Sequence, residues 1–219
     1  NWAVTYSDKS MHIFSMLGEN RRLEKSQDHI EALKEMYNLD QDYSLYEERG
    51  LFLEGTSSLV MDRINKIAYM GISPRSNLNL AEKWSQRNGF TLIPFETKSH
   101  TGGAIYHSDV MMYIGTNLAV VCEDSIANGK NEVIESLDKT HELMFITDSQ
   151  LLNFCGNCIE VKDHENRLCL IMSSKALVGY DDAQIKTLNK FYDRIIHSDL
   201  TTIENHGGGS ARCMIMELY

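Results

Sequence analysis

Residues 206–214 read HGGGSARCM, and the organisation of the chain turns on whether this stretch is a fraying tail or a strand end that reaches into the fold. Glycine lets the backbone approach a neighbour or a ligand closely, whereas a plain core strand has little use for three in a row. A lone free cysteine is most often a small buried hydrophobe. The glycines ahead of Cys213 shift the balance towards a reactive thiol, since a thiolate tuned by a nearby cation or histidine is a strong nucleophile.

Working outward, three other stretches gather polar side chains at strand ends: FLEGTSSLVMDR (52–63), GISPRSN (71–77) and IYHSDVMM (105–112). His107 and Asp109 are two residues apart, so on a strand they point the same way, as a general acid/base and its carboxylate neighbour need to. Glu54 follows an apolar run and precedes a glycine, which puts its carboxylate where a strand stops. Arg75 is placed to hold a carboxylate in a bidentate fork. Each has an ordinary reading too: a surface histidine, a solvated strand-end acid, a helix-start arginine.

Apolar residues make up 42% and charged residues 24% of the 219, a globular balance. No apolar run approaches the roughly 20 residues needed to cross a bilayer, so no membrane span is expected. The net charge of −10 argues against a nucleic-acid surface, which needs clustered Lys and Arg, and favours a small-molecule substrate. Five cysteines, at 122, 155, 158, 169 and 213, make no even disulfide framework and point to a reducing, cytoplasmic setting. CGNC (155–158) has no second pair and no histidine at ligand spacing, so it is read as structural, with no metal and no cofactor expected.

Apolar alternation predicts strands at AVTY (3–6), GLFLEG (50–55), LVMD (59–62), IAYMG (67–71), TLIPFE (91–96), VMMYIG (110–115), LAVVCE (118–123), LMFIT (143–147), CIEVKD (158–163) and LCLIMSS (168–174). Helical spacing covers 22–39, with Leu23, Ile30, Leu33 and Met36 on one face. It also covers 79–89, ending on Gly89, 148–154, starting on Asp148, and 180–195, opening with acids. Strand clusters separated by helices, with no linker-like segment, indicate one domain over 1–219 in an α+β or propeller-like arrangement.

In their order along the chain, the acid-Gly turn at Glu54, the SPRSN stretch, the histidine of YHSDVMM and the terminal GGGSARCM resemble the guanidino-group modifying enzymes of the pentein superfamily. That superfamily includes arginine deiminases, agmatine deiminases and dimethylarginine dimethylaminohydrolases; these stretches, with NRRLE (20–24), look closest to its citrulline-utilisation hydrolases. The resemblance implies a five-bladed α/β propeller of ββαβ units around a substrate channel. Its first blade would be largely absent from this C-terminal portion of a longer chain, so a missing N-terminal segment or a partner chain would be needed to close the ring.

It also implies site roles: Cys213 as nucleophile, His107 as general acid/base and Glu54 as the carboxylate that binds substrate nitrogens and orients His107. Asp109 matches an acid with which deiminases grip the guanidinium and which dimethylarginine hydrolases lack. Arg75, and Arg22 as a second position, would bind the substrate's α-carboxylate, and Asn1 would add a substrate contact. The implied reaction is hydrolysis of the guanidino or ureido group of arginine or citrulline through an S-linked cysteine intermediate. A non-catalytic binding module of the same fold is the alternative.

Overall fold

A computed structural model describes residues 1–219. The backbone repeats one plan four times: two antiparallel strands, then a helical crossover that returns a third strand parallel to the second. The first unit has β1 (Ala3–Thr5), β2 (Ser10–Ile13), the helices α1 (Glu19–Arg22) and α2 (Gln27–Lys34), and β3 (Asn38–Asp42), paired in the order β1-β2-β3. The second, after α3 (Gly55–Ser58), has β4 (Val60–Asp62), β5 (Ile67–Ile72), α4 (Leu78–Asn88) and β6 (Thr91–Thr97).

The third unit is β7 (Met112–Ile114), β8 (Leu118–Val121), α5 (Lys130–Asp138) and β10 (Glu142–Phe145). Between β8 and α5 the short β9 (Ile126–Asn128) crosses to pair antiparallel with β6 and so stitches the third unit to the second. The fourth unit follows α6 (Asp148–Leu152) and comprises β11 (Ile159–Lys162), β12 (Leu168–Ser173), α7 (Ser174–Gly179), α8 (Asp182–Phe191) and β13 (Arg194–Ser198). Two short helices, α9 (Thr201–Gly207) and α10 (Ala211–Met214), carry the chain back to the centre.

The four sheets stay separate, and no strand pairing closes them into a ring. The expected ββαβ units are therefore present as four sheets. No helix is long and apolar enough to cross a membrane. The leading strands β4, β7 and β11, with residues 215–219, border a cavity of about 670 Å³.

A large core joins β7, β8 and β12 to Tyr69, Phe95, Val133 and Leu188, and a second collects Phe14, Leu53, Leu59, Met70, Trp84 and Phe90 around α4. Both follow from burial of the helix face that turns towards the sheet.

Several sequence expectations are corrected. The helix predicted over 22–39 breaks at Ser26, whose side chain accepts the His29 N–H and restarts the chain as α2, and the segment ends as β3. Of its expected apolar face only Leu33 is buried; Leu23 is 78% and Met36 52% exposed. GLFLEG is a loop with one bridge, from Leu53 to Ser76, because Glu54 leads directly into α3.

The edge strands β3 and β13 were hidden by exposed, polar sequence, and β13 replaces the end of the helix predicted over 180–195. The α6 cap is Thr147, one residue before Asp148, where it forms a reciprocal pair with Gln150. The helix over 79–89 does end on Gly89, in the left-handed conformation glycine accepts most readily.

The segment carrying His107 and Asp109 is a 3-10 turn, Ser108–Val110, rather than a strand. Ser108 pins it: the buried hydroxyl donates to Ser58 O at 2.9 Å and accepts the Gly71 N–H at 2.8 Å, tying the turn to α3 and β5. Ser108→Ala leaves both backbone groups without a partner, and each buried unsatisfied group costs about 1–3 kcal/mol. A loss of about 2 kcal/mol or more in urea unfolding is expected, with an unchanged midpoint counting against this anchor.

Candidate active site

Three short elements converge. Glu54 precedes α3, His107 precedes the 3-10 turn and Asp109 lies within it, and Cys213 lies in α10. Glu54 has no exposed surface, and His107 and Asp109 are 2% exposed.

Glu54 is the hub. Its Oε2 meets His107 Nε2 at 2.7 Å, with Arg75 Nη1 at 3.4 Å and Arg21 Nη1 at 3.5 Å, while Oε1 accepts the Leu17 N–H at 2.9 Å. Burial works against ionisation, but the His107 hydrogen bond and charge, the Leu17 N–H and Arg75 together outweigh it and hold the carboxyl down at about 2. Gly55, at φ +47°, makes the turn that aims this carboxylate.

Asp109 Oδ2 lies 2.8 Å from the Ser57 hydroxyl, and Oδ1 is buried without a hydrogen-bond partner. Ser57 has one proton and sits between Asp109 and the side-chain carbonyl of Asn1. Cys213 Sγ is 3.6 Å from Asp109 Oδ2 and 3.2 Å from Asn157 Nδ2. Burial first, then the charge of Asp109, pushes the thiol up to about 12, against a smaller opposing pull from the Asn157 hydrogen bond.

The glycine run divides its labour. Gly208, at φ +70°, ends α9 in the left-handed region, and its carbonyl accepts a hydrogen bond from the Tyr106 hydroxyl. A Cβ on Gly209 would lie 2.8 Å from Cys213 Sγ, closer than real Cβ atoms come, so glycine is required beside the thiol. HGGGSARCM is thus a helix end, a turn and a one-turn helix rather than a strand end.

Arg75 lies over the Tyr106 ring at 5.4 Å, within reach of Glu54. Arg22 does not face the same space. Its Nε donates to Met16 O at 2.9 Å and its Nη2 to Leu17 O at 3.2 Å, with Glu47 close by, so it braces the loop whose Leu17 N–H holds Glu54. Its neighbour Arg21 reaches Glu54, because α1 is four residues long and turns only one arginine of the pair inward.

Ser57, Arg21 and Asn157 were not singled out by sequence. The Arg-Arg doublet and the Gly-Asn within CGNC were the available signals. Cys155 and Cys158 are buried, unbridged thiols whose ionisation is suppressed by burial. No group of three or more His, Cys, Asp or Glu side chains converges as a metal site would. Asp109 and Arg212 border the 670 Å³ cavity, whereas Glu54, His107 and Cys213 do not.

A thiol, an imidazole and two carboxylates come together on an α/β scaffold of the kind found in the guanidino-group modifying enzymes of the pentein superfamily. Residues 1–219 match the family described as N,N dimethylarginine dimethylhydrolase, eukaryotic, and the chain belongs to that family.

Solved structures with the same fold include apo ArgZ, an arginine dihydrolase of the ornithine-ammonia cycle in cyanobacteria (TM-score 0.75, 15% identity, 99% of this chain and 32% of that one). Its N-terminal domain bound to substrate is also similar (TM-score 0.75, 15% identity, 97% of this chain and 71% of that one). A dimethylarginine dimethylaminohydrolase adduct with 4-chloro-2-hydroxymethylpyridine aligns with TM-score 0.68 at 17% identity, over 100% of this chain and 76% of that one. The chain therefore spans about a third of full-length ArgZ. No curated protein matches the sequence.

The depressed Glu54 carboxyl has a measurable consequence. A group whose folded pKa lies below its unfolded value stabilises the fold above the unfolded value and loses that contribution as pH falls. For Glu54 the window runs from 4.5 down to about 2. Acid titration followed by circular dichroism should show a shallower loss of stability in that window for Glu54→Gln than for the native chain; equal slopes would remove Glu54 as its source.

Proposed function

We propose that the chain hydrolyses the guanidino group of arginine, with Cys213 as nucleophile, His107 as general acid/base, and Glu54 and Asp109 as the carboxylates that hold the guanidinium. The observation that carries this reading is the buried, unpartnered Oδ1 of Asp109 beside the Cys213 thiol. A buried carboxylate oxygen is costly without a donor, and a planar guanidinium supplies N–H groups and positive charge together.

The same feature bears on substrate choice. Asymmetric dimethylarginine carries two methyls on one terminal nitrogen, and turning that nitrogen to Asp109 would leave Oδ1 unpaired against carbon. Citrulline offers N–H groups but no charge. Arginine satisfies both requirements, so it is favoured over methylated arginine despite the name of the family, and over the ureido substrate.

Arginine would enter as a cation next to Asp109, offsetting the charge that keeps Cys213 protonated and easing transfer of the thiol proton, by way of solvent, to His107. The thiolate attacks the guanidinium carbon from above its plane, and the C–N bond to one terminal nitrogen breaks as His107 delivers a proton to the departing ammonia. His107 then takes a proton from water, the water oxygen adds to the S-linked carbon, and C–S cleavage releases a ureido product and regenerates the thiolate. Glu54 holds His107 and a substrate nitrogen throughout, replacing Arg21 and Arg75, which are freed to bind the α-carboxylate. Arg21 takes this role in place of Arg22, and Asn1, through Ser57, steadies Asp109. No step calls for a metal or an organic cofactor.

A purely binding role would leave the buried His107–Glu54 pair and the suppressed thiol without use.

The test is turnover of arginine, asymmetric dimethylarginine and citrulline with ammonia, dimethylamine and amino-acid products quantified. Ammonia release from arginine is expected, abolished in Cys213→Ser and lowered about 10²- to 10⁴-fold in His107→Asn. Dimethylamine as the dominant product would overturn the substrate assignment, and full activity in Cys213→Ser the mechanism.

The thiol gives an independent readout. Without substrate, alkylation of Cys213 by neutral iodoacetamide should rise about tenfold per pH unit from 7 to 10 without levelling off. A cationic haloacetamidine should react much faster at pH 7. A plateau near neutrality with iodoacetamide would show a thiolate already formed in the empty site.

A further inference from the structure

We propose that Asn157 is a positioning residue for Cys213: its side-chain amide ties the sulfur to the main chain of Asp109 and donates an N–H to the thiolate. The inference rests on the reading of Cys213 as nucleophile. Asn157 has no exposed surface and lies in the turn between α6 and β11, inside the Cys-Gly-Asn-Cys stretch.

Both amide protons and the carbonyl oxygen of its side chain are engaged. Nδ2 donates to Asp109 O at 2.7 Å and to Cys213 Sγ at 3.2 Å, and Oδ1 accepts the Ser210 N–H at 3.0 Å. The main-chain carbonyl of Asn157 also accepts the Arg212 N–H at 3.3 Å.

These partners fix the orientation of the amide. Asp109 O can only accept and the Ser210 N–H can only donate, so exchanging Oδ1 and Nδ2 would create two repulsive contacts. The N–H aimed at sulfur is therefore held in place by two other hydrogen bonds. Ser210 is anchored in turn by its hydroxyl to Glu204 at 2.6 Å.

The local chain exists to seat this residue. Phe154 turns at φ +64°, and a Cβ on Gly156 would lie 2.6 Å from Val110 O and 2.7 Å from Met111 C, so the turn presses directly against the segment carrying Asp109. Asn157 thereby touches both the main chain of the Asp109 turn and the start of α10. It joins the two halves of the site alongside the Tyr106–Gly208 link.

The sulfur sits between opposing influences. Asp109 Oδ2, at 3.6 Å, accepts from the thiol and repels the thiolate, whereas the Asn157 N–H does little for the thiol and stabilises the thiolate. When substrate offsets Asp109, Asn157 remains as the fixed, uncharged donor. Its contribution grows as negative charge collects on sulfur, so removing it should lower kcat and leave KM nearly unchanged.

The experiment compares the native chain with Asn157→Asp, which keeps an acceptor for Ser210, and Asn157→Ser, which is neutral and too short to reach the sulfur. Near-UV circular dichroism checks folding, iodoacetamide alkylation of Cys213 is followed against pH by mass spectrometry, and steady-state turnover of arginine separates kcat from KM.

Folded variants should show Cys213 alkylation displaced to higher pH, more for Asp than for Ser, with kcat down about 10- to 100-fold at nearly constant KM. An unchanged alkylation profile and kcat in a folded variant overturns the proposal, as does loss of folding in both variants, which would make Asn157 a support of the fold alone. Full turnover by Cys213→Ser is the separate result that removes the nucleophile reading itself.

Discussion

Glu54 keeps a negative charge with no exposed surface, and the arrangement of the site follows from what that requires. A buried carboxylate is tolerable only when its lone pairs are filled and its charge is met. Leu17 supplies the N–H, His107 the short hydrogen bond, and Arg21 and Arg75 the charge. These partners come from the loop after β2, the 3-10 turn before β7, α1 and the loop after β5, so one carboxylate holds pieces of three structural units in register. Arg22 takes part at one remove, since the loop it braces presents Leu17.

Asp109 is built differently. It has Ser57 on one oxygen and no hydrogen-bond partner on the other. The contrast between a saturated carboxylate and an unsaturated one, both buried, separates scaffold from recognition. Under the proposed function, Glu54 is satisfied by groups that a substrate would displace, whereas Asp109 would be satisfied only on binding. The same logic would account for Cys213 resting as a thiol, its ionisation waiting for the charge that also completes Asp109.

The sequence made the chemistry more legible than the geometry. Glu54, His107, Asp109 and Cys213 stood out because each is a reactive side chain beside a glycine or at the end of an apolar run, and they do converge. Their secondary structure was misjudged. The apolar residues that suggested strands at GLFLEG and before Met112 do reach the core, but Leu53 enters it from a loop and Val110 and Met111 from the 3-10 turn and its end rather than from strands. Strands β3 and β13 were invisible for the opposite reason: an edge strand needs only backbone partners, so its side chains can be polar and exposed. Arg21 could not be told from Arg22 because the choice depends on the phase of a four-residue helix. Asn157 is not legible in the sequence because it stands between two cysteines and its side-chain contacts lie 48 and 56 residues away.

The triple glycine illustrates how a single motif can answer to several constraints. Gly208 is needed for a left-handed φ, Gly209 for clearance of 2.8 Å beside the sulfur, and Gly207 meets nothing closer than Ile203 at 3.8 Å. Only Gly209 is tied directly to the thiol. A substitution there acts on the position of Sγ, and one at Gly208 acts on the turn and on the Tyr106 link that keeps the His107 segment and the Cys213 segment together. The two glycines thus control different coordinates, the position of Sγ and the distance between the two halves of the site. If Cys213 is the nucleophile proposed above, both must be fixed for a cysteine on a one-turn helix to meet the tolerance that attack on a planar, resonance-stabilised carbon demands.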